Sequence, residues 1–432
     1  MKKYIFLTLL ILILLSINSP AYAVFNLESP QEITASDINS AIDSLLTKYP
    51  EYIKVETIGY SVNNIPIKVL QISNEINDDG NTLRYNPNKK NSLFLAGLHA
   101  KEVITPVVFL EVVDKNLEQL KNGDRKMIKT FNENTIHFIP LMNPDGFDLA
   151  KYGSIHDIFG RNFNEYLKAN TNGVDLNNNF PDKFYDLKKL QWTSVEAEAY
   201  LPSIFISFKP SVAYYWGEAI QPETKSVIDY IKRYYFEYYI DLHSQGDYMY
   251  WDFWNLSDEF REENLNFAKK IQNLSVSKTF TEPYRLGEKS IEKAPHGFGY
   301  STEYFASLYD NPAITLEVAQ LRNLPYAKPE HYYETIDRLE DIFYELNKYD
   351  NIAHPFRVYK NQELYADYSH ESYAKAVAQD INGFYVYDPG NLKSFSGEAI
   401  NQKLFNILKF ILGKKNTSKF IESNEILKST SD

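Results

Sequence analysis

The 432-residue chain contains no cysteine. Disulfides, thiolate zinc sites and a thiol nucleophile are all excluded by that absence. Beyond residue 23 it also lacks any apolar run approaching the roughly 20 residues needed to span a bilayer. Positive charge is in short supply, with 45 Lys and Arg against 57 Asp and Glu and a formal net charge of −12. Such a balance repels phosphate backbones and argues against nucleic acid as a partner. No internal repeat is visible.

What is present begins with an export pattern. Lys2 and Lys3 supply a positive start, Ile5 to Ile17 an apolar stretch, and "AYA" (Ala21–Ala23) a small-residue cleavage site. Thirteen positions are too few to span a bilayer comfortably, so no stable membrane anchor is expected after cleavage; a retained anchor is the alternative. The expected location is secreted or extracellular, with association to the cell wall open. Loss of Lys2 and Lys3 takes the formal charge from −12 to −14. Aromatic tracts such as "YYFEYY" (Tyr234–Tyr239) lead into an apolar strand, which favours core packing over sugar stacking.

Along the chain, strands alternate with helical segments. "TASDINSAIDSLLTKYP" is an amphipathic helix with Ile38, Ile42, Leu45 and Leu46 on one face and a Thr34–Asp37 capping box. Two strands follow around an Asn63–Asn64 turn. "SLFLAGL" is a short buried strand, and the spacing predicts a helix behind it with Thr105 as cap and Pro106 at its first position, stopping near Gly123. "TIHFIPLMN", "YYIDL" and "AITLEV" continue the alternation, and a helix from about Pro329 to Tyr349 completes it. The pattern implies an α/β fold with a mixed, mostly parallel central sheet flanked by helices. The expected layout is a signal peptide at 1–23, a main domain at 24–352, a small α/β appendage at 353–412, and a polar, disordered tail at 413–432.

His99 and Glu102 stand three residues apart in "GLHAKE", where a buried strand stops. The spacing alone is weak, because His331 and Glu334 repeat it at the start of a polar-faced helix, where a solvated pair is expected. Context separates the two. Ligands gather outside the carboxyl ends of strands in open α/β sheets. His243 ends "YYIDLH" and Glu317 ends "PAITLE" at equivalent places. One His–Glu pair with a distant His makes a three-ligand set that leaves zinc's fourth position open to water. A metal there lowers the water's pKa and polarises a carbonyl, while Glu317 is placed to move its proton to a leaving amine. A scatter of satisfied core residues is the competing explanation on these grounds alone.

From about residue 35 to 350 the chain resembles the zinc carboxypeptidase-type metallopeptidases. The matching pieces come in family order: "TIGYSVNNIPI", "GLHAKE", "IPLMNPDGF", "NGVDLNNNF", "DLHSQG" and "ITLEV". The resemblance implies one zinc ion (Zn2+) held by His99, Glu102 and His243, with Glu317 as general base. It also implies that Asp175 hydrogen-bonds the first zinc histidine and so fixes its tautomer and angle. Lys168 best fits the position of an arginine that stabilises the tetrahedral oxyanion, with Arg161 as the fallback and a solvated lysine as the other reading. Lys101 falls where some relatives carry a substrate-contacting arginine; solvated charge is again the alternative. The family's mobile tyrosine has no aligned counterpart, although His296 and Tyr300 are nearby. Tyr248, Tyr250, Trp251 and Trp254 either wall the pocket or pack the core.

Where relatives show "NRN" after "GVDL", with the arginine clamping a terminal carboxylate, this chain has Asn177, Asn178 and Asn179. Asn178 cannot supply a charged fork, so Asn177 and Asn178 are expected to meet a different substrate. Several stretches, among them "SQGDYMYW", "GFGYSTEYF" and "LRNLPY", resemble the γ-D-glutamyl-L-diamino acid endopeptidases. The implied partner is a bacterial cell-wall peptide. The rival expectations are a metallocarboxypeptidase that trims peptide C-termini and a catalytically silent protein that binds wall peptides or glycans.

Overall fold

The computed structural model describes residues 24–74, 89–152, 167–181, 220–234, 236–244, 246–252, 258–276, 282–287, 300–309, 311–319, 328–346, 356–361, 363–368, 374–375, 378–379 and 382–387. The signal peptide and the polar tail anticipated from sequence lie outside these residues, as do Arg161, Trp254 and His296.

An eight-stranded sheet organises the molecule. Its strands are β1 (Ile53–Tyr60), β2 (Pro66–Ile72), β3 (Lys90–Ala96), β4 (Asn134–Ile139), β5 (Tyr238–His243), β6 (Tyr248–Tyr250), β7 (Arg285–Leu286) and β8 (Ala313–Glu317). They lie in the order β1-β2-β4-β3-β5-β8-β6-β7. The central four, β4-β3-β5-β8, run parallel. β1 and β2 are antiparallel, as are β2 and β4, and β8 and β6. Every residue of β5 is buried, as expected of a strand flanked by parallel neighbours with both faces covered.

The helices are α1 (Ala35–Lys48), α2 (Ile104–Lys121), α3 (Arg125–Glu133), α4 (Pro144–Tyr152), α5 (Pro222–Ile231), α6 (Asp258–Leu274), α7 (Ser301–Tyr309) and α8 (Pro329–Glu345). In α1 the Thr34–Asp37 capping box forms in both directions, and Ile38, Ile42 and Leu45 face the core. α2 is buried on nearly all sides between α1 and α8. It starts at Ile104 with Val103 as its cap, two residues ahead of the predicted Thr105 and Pro106. Thr105 instead turns its hydroxyl back to the Glu102 carbonyl (3.0 Å), which ties the helix start to the preceding loop.

Alternate side chains of the strands build two apolar clusters. Phe94, Ala96, Ile240, Leu242, Ile314 and Leu316 face α1, α2, α6 and α8. Leu93, Leu95 and Tyr239 face α5 and α7. A second sheet, β10-β9-β11, joins β9 (Phe356–Lys360), β10 (Glu363–Tyr368) and β11 (Phe384–Tyr387) in antiparallel pairs. Its Val358 and Tyr385 belong to the cluster that holds α5 and α7. No helix among the described residues is long and apolar enough to cross a membrane.

Candidate metal centre

Three neighbouring parallel strands finish at one edge of the sheet. β3 breaks at Gly97, whose φ of +62° suits glycine and which leaves no room for a side chain: a Cβ would stand 2.6 Å from Leu141. The chain then turns through Leu98 to His99. Asn143, from the "NPDGF" motif, donates its amide to the carbonyls of Leu98 (3.2 Å) and Ala169 (3.3 Å) and so joins two loops at the site. The Ala100 and Lys101 N–H groups bond the carbonyls of Lys168 (3.1 Å) and Leu167 (2.8 Å), which sets the backbone of Lys168 beside the turn. β5 ends on His243 and β8 on Glu317, and these two residues are register partners.

His99, Glu102 and His243 converge, all buried. His99 Nδ1 is 2.9 Å from Glu102 Oε1, His243 Nδ1 is 3.0 Å from Glu102 Oε2, and the two Nδ1 atoms are 3.0 Å apart. Ligands about 2.1 Å from a tetrahedral zinc stand roughly 3.4 Å from one another, so these atoms, 2.9–3.0 Å apart, need to spread by only a few tenths of an ångström to hold one such ion. The other imidazole nitrogens face carboxylates: His99 Nε2 lies 3.2 Å from Asp175 Oδ1, and His243 Nε2 lies 3.1 Å from Asp241 Oδ2. Each ring is thus held from behind with its Nδ1 turned into the cluster. The Glu102, Asp175, Asp241 and Glu317 carboxylates surround the histidines and meet the two ammonium groups of Lys101 and Lys168.

The same crowding sets protonation. Burial alone would raise the pKa of Glu102, yet the two imidazoles beside it pull it well below the usual carboxylate range. Asp175 follows the same logic: burial raises it, but His99, Lys168 and the Asn177 N–H bring it down to about 2. Burial opposes charge on His243, but the adjacent Asp241 and Glu102 push its pKa well above the ordinary imidazole value. Glu317 moves the other way. Burial and the Glu102 charge raise its pKa, against the pull of His243, Lys168 and His99. Glu317 is partly exposed overall, but its Oε2 is sealed from solvent with no hydrogen-bond partner among the described residues.

Asp175 caps a short 3-10 turn, Leu176–Asn178, by accepting from the Asn177 N–H. Asn177 Oδ1 accepts from the Ser301 N–H (3.2 Å), so that oxygen holds the start of α7. Asn178 is buried, and its Oδ1 has no hydrogen-bond partner among the described residues. Lys101 is only 6% exposed, which removes the solvated-charge reading; burial and the neighbouring Lys168 lower its pKa, against Glu102, Glu317 and Asp175. Lys168 is half-buried, within electrostatic reach of Glu317, Asp175 and Tyr300. Tyr248 and Tyr250 lie half-buried along β6, with Tyr248 opposite Glu317, while Met249 between them points into the core. The Arg285 guanidinium covers the Tyr248 ring at 3.9 Å. The second His–Glu pair has another purpose: His331 Nδ1 accepts the Lys328 N–H (3.1 Å) and caps α8.

The zinc carboxypeptidase family model matches residues 38–341, a stretch that contains His99, Glu102, His243 and Glu317. The chain belongs to the zinc carboxypeptidase family. The family uses one zinc ion, and the His–Glu–His cluster is the site among the described residues that fits it. Carboxypeptidase E of Caenorhabditis elegans is 28% identical over 196 residues, 42% of this chain and 39% of that protein. Gamma-D-glutamyl-L-diamino acid endopeptidase 1 of Lysinibacillus sphaericus is 26% identical over 310 residues, 68% of this chain and 67% of that protein. The matched stretch therefore spans about two fifths of the length of the carboxypeptidase E relative. The crystal structure of carboxypeptidase A from Helicoverpa armigera superposes with a TM-score of 0.52 at 18% identity, covering 80% of each chain. That likeness establishes a carboxypeptidase fold for the mostly parallel sheet and its helices.

Asp241 and Ser301 had no place in the sequence reading. Asp241 is fully buried on β5, and its Oδ2 both faces His243 and accepts from the Ser301 hydroxyl. The signal was present in "DLH": residues two apart on a strand share a face, so an Asp at that spacing stands behind the histidine.

Proposed function

We propose that this chain is an exported, zinc-dependent metallopeptidase that hydrolyses the γ-D-glutamyl–diamino acid bond of cell-wall peptides. One observation carries the peptidase reading: His99, Glu102 and His243 meet at the ends of adjacent strands, with Glu317 paired to His243 across the sheet. Zinc, when bound, acts as a Lewis acid on a peptide carbonyl and lowers the pKa of a water held there. Glu317, made more basic by burial and by the neighbouring Glu102 charge, is the group that would accept a proton from a water at this site and pass it to the leaving amine. Lys168 supplies positive charge for the oxyanion that develops in the transition state. Asp175 and Asp241 hold the two imidazoles at the angle needed to present Nδ1.

Substrate choice rests on Asn178. A neutral amide at this position offers no bidentate, charged grip on a terminal carboxylate, and loss of one such pair is worth about 1.5–3 kcal/mol. The name of the Lysinibacillus sphaericus relative supports the γ-D-glutamyl reading over two thirds of both chains. A second reading, removal of C-terminal residues from ordinary peptides, draws on the carboxypeptidase relatives. Chromatography of digests decides between them. The purified chain is expected to split a γ-D-glutamyl–diamino acid tripeptide and to leave an unblocked ordinary peptide nearly untouched. Cleavage of only the ordinary peptide would reject the wall-peptide assignment, and cleavage of neither would favour a silent binding protein.

A further inference from the structure

Glu111 sits on α2, only 6% exposed, and takes no part in the metal centre. Its carboxylate accepts hydrogen bonds from two consecutive backbone nitrogens, Val24 and Phe25, the second at 2.7 Å. The side chains around those nitrogens are docked as well: Phe25 and Leu27 are core residues of the first apolar cluster, and Val24 packs against it. A little further on, the Tyr333 hydroxyl of α8 donates to Glu28 (3.2 Å), so the segment is held by two helices. The charges facing Glu111 are sparse. Asp114, one turn along α2, opposes its ionisation, Lys48 of α1 favours it, and Tyr333 of α8 lies within electrostatic range. Burial prevails over the two N–H bonds and pushes Glu111 up to about 7.

A carboxylate buried this deeply, with two amide donors and no close cation among those neighbours, is an incomplete site. The export pattern supplies what would complete it, because a cut after "AYA" makes Val24 the first residue. We propose that hydrolysis of the Ala23–Val24 bond by a leader peptidase seats the new α-ammonium of Val24 on the Glu111 carboxylate, so that maturation itself creates a buried ion pair fastening the N-terminus to α2. The step consumes one water, whose oxygen joins the Ala23 carboxylate and whose two hydrogens end on the Val24 nitrogen. A one-donor amide becomes a charged three-donor group at the place where its nitrogen already sits, and charge-assisted bonds are shorter and stronger than neutral ones.

The pH window follows from the two groups. An α-amine has an ordinary pKa of about 7.7–8.0, and a carboxylate partner raises it in the folded state. Its contribution is therefore complete below about pH 8 and lost as pH rises through the folded value. On the acid side the ion pair is lost once Glu111 protonates. The test compares two forms of the purified chain, one beginning at Val24 and one retaining Ala23, each with Glu111 and with Glu111→Gln. Glutamine keeps a carbonyl acceptor for the Phe25 N–H while removing the negative charge. The Val24 form is expected to melt about 3 °C higher at pH 7, with the gap closing above pH 9 and absent in Glu111→Gln. Equal melting of the two wild-type forms, or a gap of the same size in Glu111→Gln, would overturn the proposal. Mass spectrometry of the exported protein is expected to find Val24 first, and any other first residue also overturns it.

Discussion

At the scale of single residues, the centre divides into groups that grip a cation and groups that move a proton, and the two respond differently to substitution. Glu317→Gln keeps the shape of the side chain and removes only its basicity. It is expected to retain zinc and fold while hydrolysis falls about 10³-fold; loss of metal in that variant would show that Glu317 is a ligand instead. Asp241→Asn leaves His243 in place but weakens the hold on its Nε2, with an expected 10–100-fold rise in the zinc dissociation constant by competition titration. An unchanged constant would leave Asp241 a packing residue. Protons compete with the metal for His243, whose pKa is raised by Asp241 and Glu102. Zinc affinity should therefore climb with pH through and above the ordinary imidazole range and decline on acidification, and calorimetric titration at several pH values gives the slope. The sequence made most of the centre legible, because the ligands His99 and His243 and the base Glu317 each follow an apolar run, and Glu102 stands three residues after His99. Asp241 was hidden for the reason that makes it effective: it lies inside such a run, where only its two-residue spacing from His243 distinguishes it from a core position.

At the scale of elements, the turn between β3 and His99 is the least tolerant part of the site. Gly97 combines a left-handed backbone with the Leu141 side chain against its α-carbon. Gly97→Ala is expected to lower stability by about 2–3 kcal/mol in denaturant unfolding and to weaken zinc binding, since the same turn aims His99. A variant with wild-type stability and metal affinity would mean that the turn relaxes freely. Local chemistry made other elements readable in advance: the Thr34–Asp37 box, the Asn63–Asn64 turn with Asn64 at φ +65°, and the stop at Gly123 with φ +82°. The start of α2 was misplaced because Thr105 and Pro106 carry a cap signature. The Thr105 hydroxyl serves the Glu102 carbonyl instead, so tertiary contact with the ligand loop overrides the cap preference. The repeated His–Glu spacing was separable by context alone, since His331 begins a helix and serves its first turn.

At the scale of the whole molecule, function depends on three neighbouring parallel strands, β3, β5 and β8, whose ends share one edge. A parallel sheet with helices on both faces needs two apolar layers, and the alternation of Leu93 with Phe94 and of Tyr239 with Ile240 divides the strands between them. That alternation explains why the fold class was legible from strand and helix order, whereas strand order was not. Neighbours such as β3 and β5 lie more than a hundred residues apart in the chain, and nothing local encodes their pairing. The central claim is that this edge binds one zinc ion through His99, Glu102 and His243. Its most direct test is metal analysis of the purified chain and of His99→Ala by inductively coupled plasma mass spectrometry. One zinc per chain that disappears in His99→Ala, with peptide hydrolysis lost alongside it, is the predicted result; a folded native chain that takes up no zinc, or a His99→Ala variant that keeps it, would contradict the account.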